Sequence, residues 1–265
     1  MKSFIGRTVR AVLVGSLLAA GVAQAQITDI NAAINKAGRE RMLSQRMAKA
    51  YFQLGLGVDI DRSKKVLDSS IAFFDRQLVE LKNFAPTPET RETYQKLEAA
   101  WIAYKDSLVG APPNPEGGRM VLALSEQVLA LAHQGTVQLE KHAGTTAGRL
   151  VNISGRQRML SQRMAKFYQA LAWGVADADS AAELEKARRE FTVGHKELGS
   201  AAANTPQLRE GLDLVNQQWF FFENALGQRG SGDWKRLSTA VATTSERILE
   251  EMEVVVGLYE RLPPR

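Results

Sequence analysis

Apolar residues return every third or fourth position along most of the chain, with polar residues filling the arc between them. Phe74, Leu78 and Leu81 keep this spacing, and two longer stripes, Leu97-Trp101-Tyr104-Leu108 and Val215-Trp219-Phe222-Leu226, both follow i, i+4, i+7, i+11. That is the period of one buried helix face, and no strand-like alternation bounded by turn residues competes with it. The pattern predicts helices over roughly Asp29 to Val58 and Ser63 to Asn83. A third starts at Thr87-Pro88, where a capping hydroxyl precedes a first-turn proline,. The stretch Ala111 to Gly118 is expected to be a loop, with a fourth helix from about Arg119.

The same four-part pattern then recurs. Gly38 to Lys49 reads GRERMLSQRMAK and Gly155 to Lys166 reads GRQRMLSQRMAK, differing only at Glu40 against Gln157. At that spacing of 117, Asn35 matches Asn152, Tyr51 matches Tyr168 and Phe74 matches Phe191. At 118, Thr87-Pro88 matches Thr205-Pro206 and Trp101 matches Trp219, and at 120 Ser125-Glu126 matches Ser245-Glu246. The second fourth helix is expected from about Asp233, after a loop over Gly227 to Gly232, and Pro263-Pro264 should stop it,. The expected fold is all-α, two tandem antiparallel four-helix bundles, with modules over residues 26–143 and 144–265. Residues His133 to Ser154 hold no proline, so the two modules are expected to share a continuous helix and stack end to end as a rod.

Composition changes this picture mainly at the N-terminus. Lys2, Arg7 and Arg10, the apolar run Ala11 to Val22 and Ala23-Gln24-Ala25 together read as a cleavable secretory signal peptide over residues 1–25,. The mature chain is then expected to begin at Gln26 and to work in the periplasm; an uncleaved leader would instead tether it to the membrane. Net charge is +5 for the whole sequence and falls to +2 once the three leader cations are set aside. A concentrated basic surface is therefore not implied, and nucleic acid is not an expected partner. The absence of cysteine rules out a disulfide scaffold and a lipid-anchored cysteine,.

A core tolerates many apolar exchanges of similar volume, so twelve residues repeated with their Arg, Ser and Gln intact need another reason. At 100° per residue, Leu43, Met47, Ala50 and Leu54 form one stripe, the bundle core. Ile34, Gly38, Arg41, Gln45, Ala48 and Phe52 form a second on the far side, matched by Val151, Gly155, Arg158, Gln162, Ala165 and Gln169. A stripe carrying glycine is a close-packing face. If two such faces meet, two guanidinium groups meet with them, repelling by about 3 kcal/mol at ~6 Å and an effective dielectric of ~20; an anion ~4 Å from each recovers about 4 kcal/mol per contact. The planar fork of Arg suits a small planar oxyanion. Periodicity leaves open whether Arg41 and Arg158 bind an anion or are solvated or salt-bridged. Arg39, Arg46 and Lys49, with Arg156, Arg163 and Lys166, fall on another face and are expected to be solvated or paired with acids of neighbouring helices.

Other chemistry is thin. His133, His142 and His195 are scattered and form no repeated metal-ligand spacing,. Ser125-Glu126 and Ser245-Glu246 read as a polar helix face, and Met42, Met47, Met159 and Met164 as packing residues. No nucleophile elbow, catalytic triad order or phosphate loop is present,, so no enzyme, no cofactor and no metal site is expected.

The segment Ile34-Asn35-Lys36-Ala37-Gly38-Arg39-Glu40-Arg41-Met42-Leu43-Ser44-Gln45-Arg46 resembles the signature of the PilJ-type sensor module, the N-terminal domain of type IV pili methyl-accepting chemotaxis transducers. It is also similar to the periplasmic nitrate-binding box of nitrate/nitrite sensor kinases. The resemblance covers essentially the whole mature chain as two modules, and implies four-helix bundles. It further implies that the arginine three residues after the glycine, Arg41 and Arg158 here, meets its mate and holds the anion across an interface. Copy two departs from the signature, with Ile153 in place of Lys36, which puts tight binding at that copy in doubt. The membrane spans and cytoplasmic output region of those receptors are not recognised here, so the chain is expected to sense or carry a ligand and hand the signal on.

The resulting expectation is a small-anion binding protein, for nitrate or nitrite, using Arg41, Arg158, Gly38, Gly155, Asn35, Asn152, Gln45 and Gln162. It would act with a membrane sensor or transporter component. The arginines could face each other within one chain or across a homodimer. The competing expectation is a rod whose repeated boxes bind no small ligand and dock to a type IV pilus or chemoreceptor component.

Overall fold

The computed structural model describes residues 27–228 and 233–263, and within them eight helices: α1 Ile30–Leu56, α2 Ile60–Phe84, α3 Pro88–Val109, α4 Pro115–Ala143, α5 Thr146–Trp173, α6 Ser180–Gly199, α7 Pro206–Gly227 and α8 Trp234–Glu260. The proposed leader, and Pro264, lie outside the described residues. No helix among them is long and apolar enough to cross a membrane.

Local chemistry sets the ends. Asp29, Thr87, Thr145 and Thr205 each accept a hydrogen bond from the backbone N–H three residues on, neutralising one of the donors a helix start leaves orphaned. The fourth helix begins four residues before the expected Arg119. Asn114 caps it through the Gly117 N–H, and Pro115 takes the first helical position, where a missing N–H costs nothing. Asn114-Pro115 is thus a helix-start signal inside the stretch expected to be a loop.

Helices α1 to α4 form one four-helix ring and α5 to α8 the other. In each, the aromatic stripe meets its counterpart: Phe74 stacks on Trp101 at 4.1 Å between centroids, and Phe191 on Trp219 at 4.3 Å. The expected rod does not form. Helix α4 ends at Ala143, Gly144 turns left-handed at φ 60°, and the Thr145 hydroxyl starts a new helix that runs back. Glycine reaches positive φ without a Cβ penalty, so a single residue breaks what looked continuous.

The modules therefore lie side by side, joined along α1 and α5. These two helices run parallel and in register: both are antiparallel to α8, as shown by Lys49 to Ser245 and Asn35 to Glu260 for α1, and Gln162 to Ser245 and Gln169 to Ser238 for α5. Buried inside its own ring on one face and against the other module on the opposite face, α1 buries 19 of its 27 residues and α5 buries 20 of 28. Outer helix α6 buries only five of 20. Both wheel stripes of the repeated segment are thus interior, the first facing its own bundle and the second facing the other copy.

Candidate functional site

Across the α1–α5 seam Gly38 meets Gly155. A methyl group on Gly38 would stand 3.7 Å from the Gly155 Cα, 3.2 Å from the Arg41 Nη2 and 3.5 Å from the Arg158 Nη2; one on Gly155 would see the mirror image, 3.3 Å from Arg158 and 3.5 Å from Arg41. Two bare backbones make room for two guanidinium groups at one point. An arginine on a helix leans toward the helix N-terminus, which carries each side chain from its own turn back to the crossing. Arg41 and Arg158 are both fully buried.

Each arginine is held by the other copy. Arg41 Nη2 donates to the Asn152 carbonyl at 3.3 Å, and Arg158 Nη2 donates to the Asn35 carbonyl at 3.2 Å and to its Oδ1 at 2.8 Å. The asparagines are fixed in turn by acids near the ends of α4 and α8, Asn152 donating to Glu140 and Asn35 to Glu260. Gln45 and Gln162 play a different part. Their amide nitrogens donate to the Ser125 and Ser245 carbonyls at 3.1 and 2.9 Å, tying α1 to α4 and α5 to α8. Their Oε1 atoms, like the Arg41 and Arg158 Nε atoms, are buried without a hydrogen-bond partner.

The two halves differ in charge. Arg158 Nη1 forms a 2.7 Å ion pair with Glu253, and Arg39 clamps the same carboxylate with two bonds of 3.2 and 2.8 Å. Burial pushes the Glu253 carboxyl up, but Arg158 and Arg39 outweigh it and hold it at about 2. Arg41 has no such acid. Its Nη1 faces His133 Nδ1 at 3.3 Å; a guanidinium only donates, so Nδ1 is the acceptor and the imidazole is neutral. Burial, reinforced by the Arg41 and Arg156 cations, pulls His133 down to about 4. Burial, then the Arg156 and Arg158 cations, pulls Arg41 down to about 9 against the weaker help of Glu140; burial pulls Arg158 to about 10 against the help of Glu253. A neutral His133 stands where the second copy has Glu253. The spacing of 120 that pairs Ser125 with Ser245 also pairs these two, so aligning the copies beyond their identical residues exposes the difference. Along the chain His133 has no repeated ligand spacing to mark it.

An open cleft of about 210 Å³ leads from the surface between α4, α5 and α6 to His133, lined also by Glu126, Leu129, Arg156, Met159 and Glu190. In the other half the positions equivalent to Arg156 and His133 are taken by Arg39 and Glu253, which bond to each other. Lys36, whose loss in copy two suggested a weaker site there, pairs instead with Glu80 of α2. It braces its own bundle, and the asymmetry at the crossing comes from His133 against Glu253.

The third face of the repeated segment is not a solvated one. Lys49 and Lys166 are as buried as the arginines and reach across the seam, Lys49 to Ser245 and Glu246, and Lys166 to Ser125 and Glu126. Arg46 joins Lys49 on Glu246, and Arg163 bridges Glu126 to Glu183. Ser125-Glu126 and Ser245-Glu246 are thus two symmetric clasps between the modules, which explains why these pairs repeat with the box. The repeated boxes face each other in the interior.

The family profile described as the type IV pili methyl-accepting chemotaxis transducer N-terminal domain, PilJ, matches residues 23–130 and again 144–254. Comparison with curated proteins and with solved structures returned no match.

Proposed function

Since this chain belongs to the PilJ family, with two tandem copies of the domain, we propose that it is a periplasmic sensory protein that captures one small oxyanion, nitrate or nitrite, between Arg41 and Arg158 and passes its occupancy to a membrane receptor or transport component. Membership supports a sensory role alongside membrane signalling components. The anion is argued from the crossing.

One observation carries the reading: Arg41 is fully buried, in no ion pair among the described residues, and aimed at the same point as a second buried arginine. An uncompensated buried cation costs several kcal/mol. An anion about 4 Å away returns roughly 4 kcal/mol at an effective dielectric near 20, and the two forks offer donors in the geometry a planar oxyanion accepts. Two fused copies place in one chain what a pair of single-domain subunits would have to assemble. Filling the seam would also draw α1 and α5 together, giving the outer helices a ligand-dependent spacing to report.

Isothermal titration of the purified chain with nitrate and with nitrite tests this. The expected result is saturable binding with one anion per chain, lost in Arg41→Ala and in Arg158→Ala. Absence of heat with the wild-type chain, or affinity unchanged in the double alanine variant, overturns it.

A further inference from the structure

The crossing is built from two copies of one sequence, yet its two halves are chemically unequal. Around Arg158 the fold supplies its own anion: Glu253 sits at 2.7 Å and is clamped from the other side by Arg39. Around Arg41 the corresponding place on α4 holds His133, a neutral acceptor at 3.3 Å. The neighbouring cation shows the same split. Arg39 turns inward to Glu253, whereas its counterpart Arg156 turns outward to Glu190 of α6, and the cleft between α4, α5 and α6 opens onto His133.

We propose, resting on the anion-binding reading above, that His133 and Glu253 make the site one-sided and selective for a single monovalent anion: Glu253 is the built-in counter-ion of Arg158, and His133 keeps Arg41 free to take the ligand, which enters through the cleft it lines. Arg158 and Arg39 share Glu253, while Glu140 and Glu260 stand one layer back behind Asn152 and Asn35, so Arg41 is the arginine at the crossing with no carboxylate in contact and presents one unit of charge for a ligand to balance. A monovalent oxyanion neutralises it. A divalent one leaves an uncompensated negative charge in a dry seam, an arrangement as costly as the buried cation it replaces. Symmetric halves would fail in either direction. Carboxylates on both sides would satisfy both arginines internally and leave nothing to recruit a ligand. Histidines on both sides would leave two unpaired cations, suited to a divalent anion such as sulfate.

Titration of nitrate and sulfate into the wild-type chain, His133→Glu and Glu253→Gln, each checked for helicity by circular dichroism, separates these cases. The wild type is expected to bind nitrate at least tenfold more tightly than sulfate. His133→Glu, which copies the second half onto the first, is expected to weaken nitrate at least a hundredfold. Glu253→Gln, which removes the counter-ion of Arg158, should improve sulfate affinity at least tenfold and shift the preference from nitrate toward sulfate, so the proposal stays testable even if a new carboxylate at 133 prevents folding. Wild-type nitrate binding that persists within threefold in His133→Glu, or a Glu253→Gln chain that loses nitrate without gaining sulfate, overturns the one-sided site while leaving the anion-binding function standing. A wild-type chain that binds neither anion removes both.

Discussion

Gly38 and Gly155 pass so closely that a methyl group on the first would sit 3.7 Å from the Cα of the second and 3.2 Å from the Arg41 guanidinium. The backbone contact is ordinary van der Waals contact, and the tight neighbour is the far end of a flexible side chain. Gly38→Ala is therefore expected to displace Arg41 from the crossing more than it disturbs the fold. Alanine gains about 1 kcal/mol of helix propensity over glycine, so thermal stability should stay within about 1 kcal/mol of wild type while anion affinity falls at least tenfold. A thermal melt and a titration on the same sample separate the two effects.

Glu40 is the one difference between the twelve-residue repeats, and it is fully buried with neither carboxylate oxygen hydrogen-bonded. Burial pushes its pKa well above the usual 4.5, with Asp75 and Glu80 adding to the rise and Arg39 opposing it. The folded chain thus keeps a proton that the unfolded chain releases near 4.5. The stability of that neutral acid is present below 4.5 and is lost as the pH climbs toward the folded pKa, at up to about 1.4 kcal/mol per pH unit. Glu40→Gln, the residue found at 157, should raise the midpoint of urea unfolding at pH 7 and flatten its decline above pH 5. An identical pH profile for both chains would show that Glu40 finds a partner in solution.

The two inter-module clasps should not be equally important. Glu246 has only 8% of its side chain exposed and serves Lys49 and Arg46, whereas Glu126 is 36% exposed. Removing one partner from a buried pair costs about 3–5 kcal/mol because the other charge is left stranded; solvent screening lowers that penalty for a more exposed pair. Glu246→Gln is expected to cost about 3 kcal/mol or more in urea unfolding at pH 7, and Glu126→Gln distinctly less.

At the far end of the seam, Trp173 packs over Gly55 beside Tyr51 and Phe52. A Cβ on Gly55 would come within 2.1 Å of the indole, so Gly55→Ala must push the ring out, at a cost of about 1–3 kcal/mol. Copy one has Leu56 at the position matching Trp173. Trp173→Leu in the Gly55→Ala background should recover most of the loss, and a double-mutant cycle measures this coupling.

Much of this molecule is legible from its residues alone. The i, i+4, i+7, i+11 stripes place Trp101 and Trp219 in matching cores, and Thr-Pro pairs start α3 and α7, because helix period and capping are local properties of the chain. The repeat of a glycine with an arginine one turn later shows two close-packing faces carrying charge. What the faces pack against is not local. Gly144 could have been one more residue in a long helix; its left-handed turn is stable because folding back buries the second stripes of α1 and α5 against each other, and that gain exists only in the assembled fold. The same juxtaposition buries Lys49 and Lys166, which a helical wheel places on an outward face, by supplying carboxylates from the other copy. It also brings His133 and Glu253 to equivalent places beside the two arginines, so that the unequal charge of the halves follows from which residues become neighbours in space and not from any pattern along the chain.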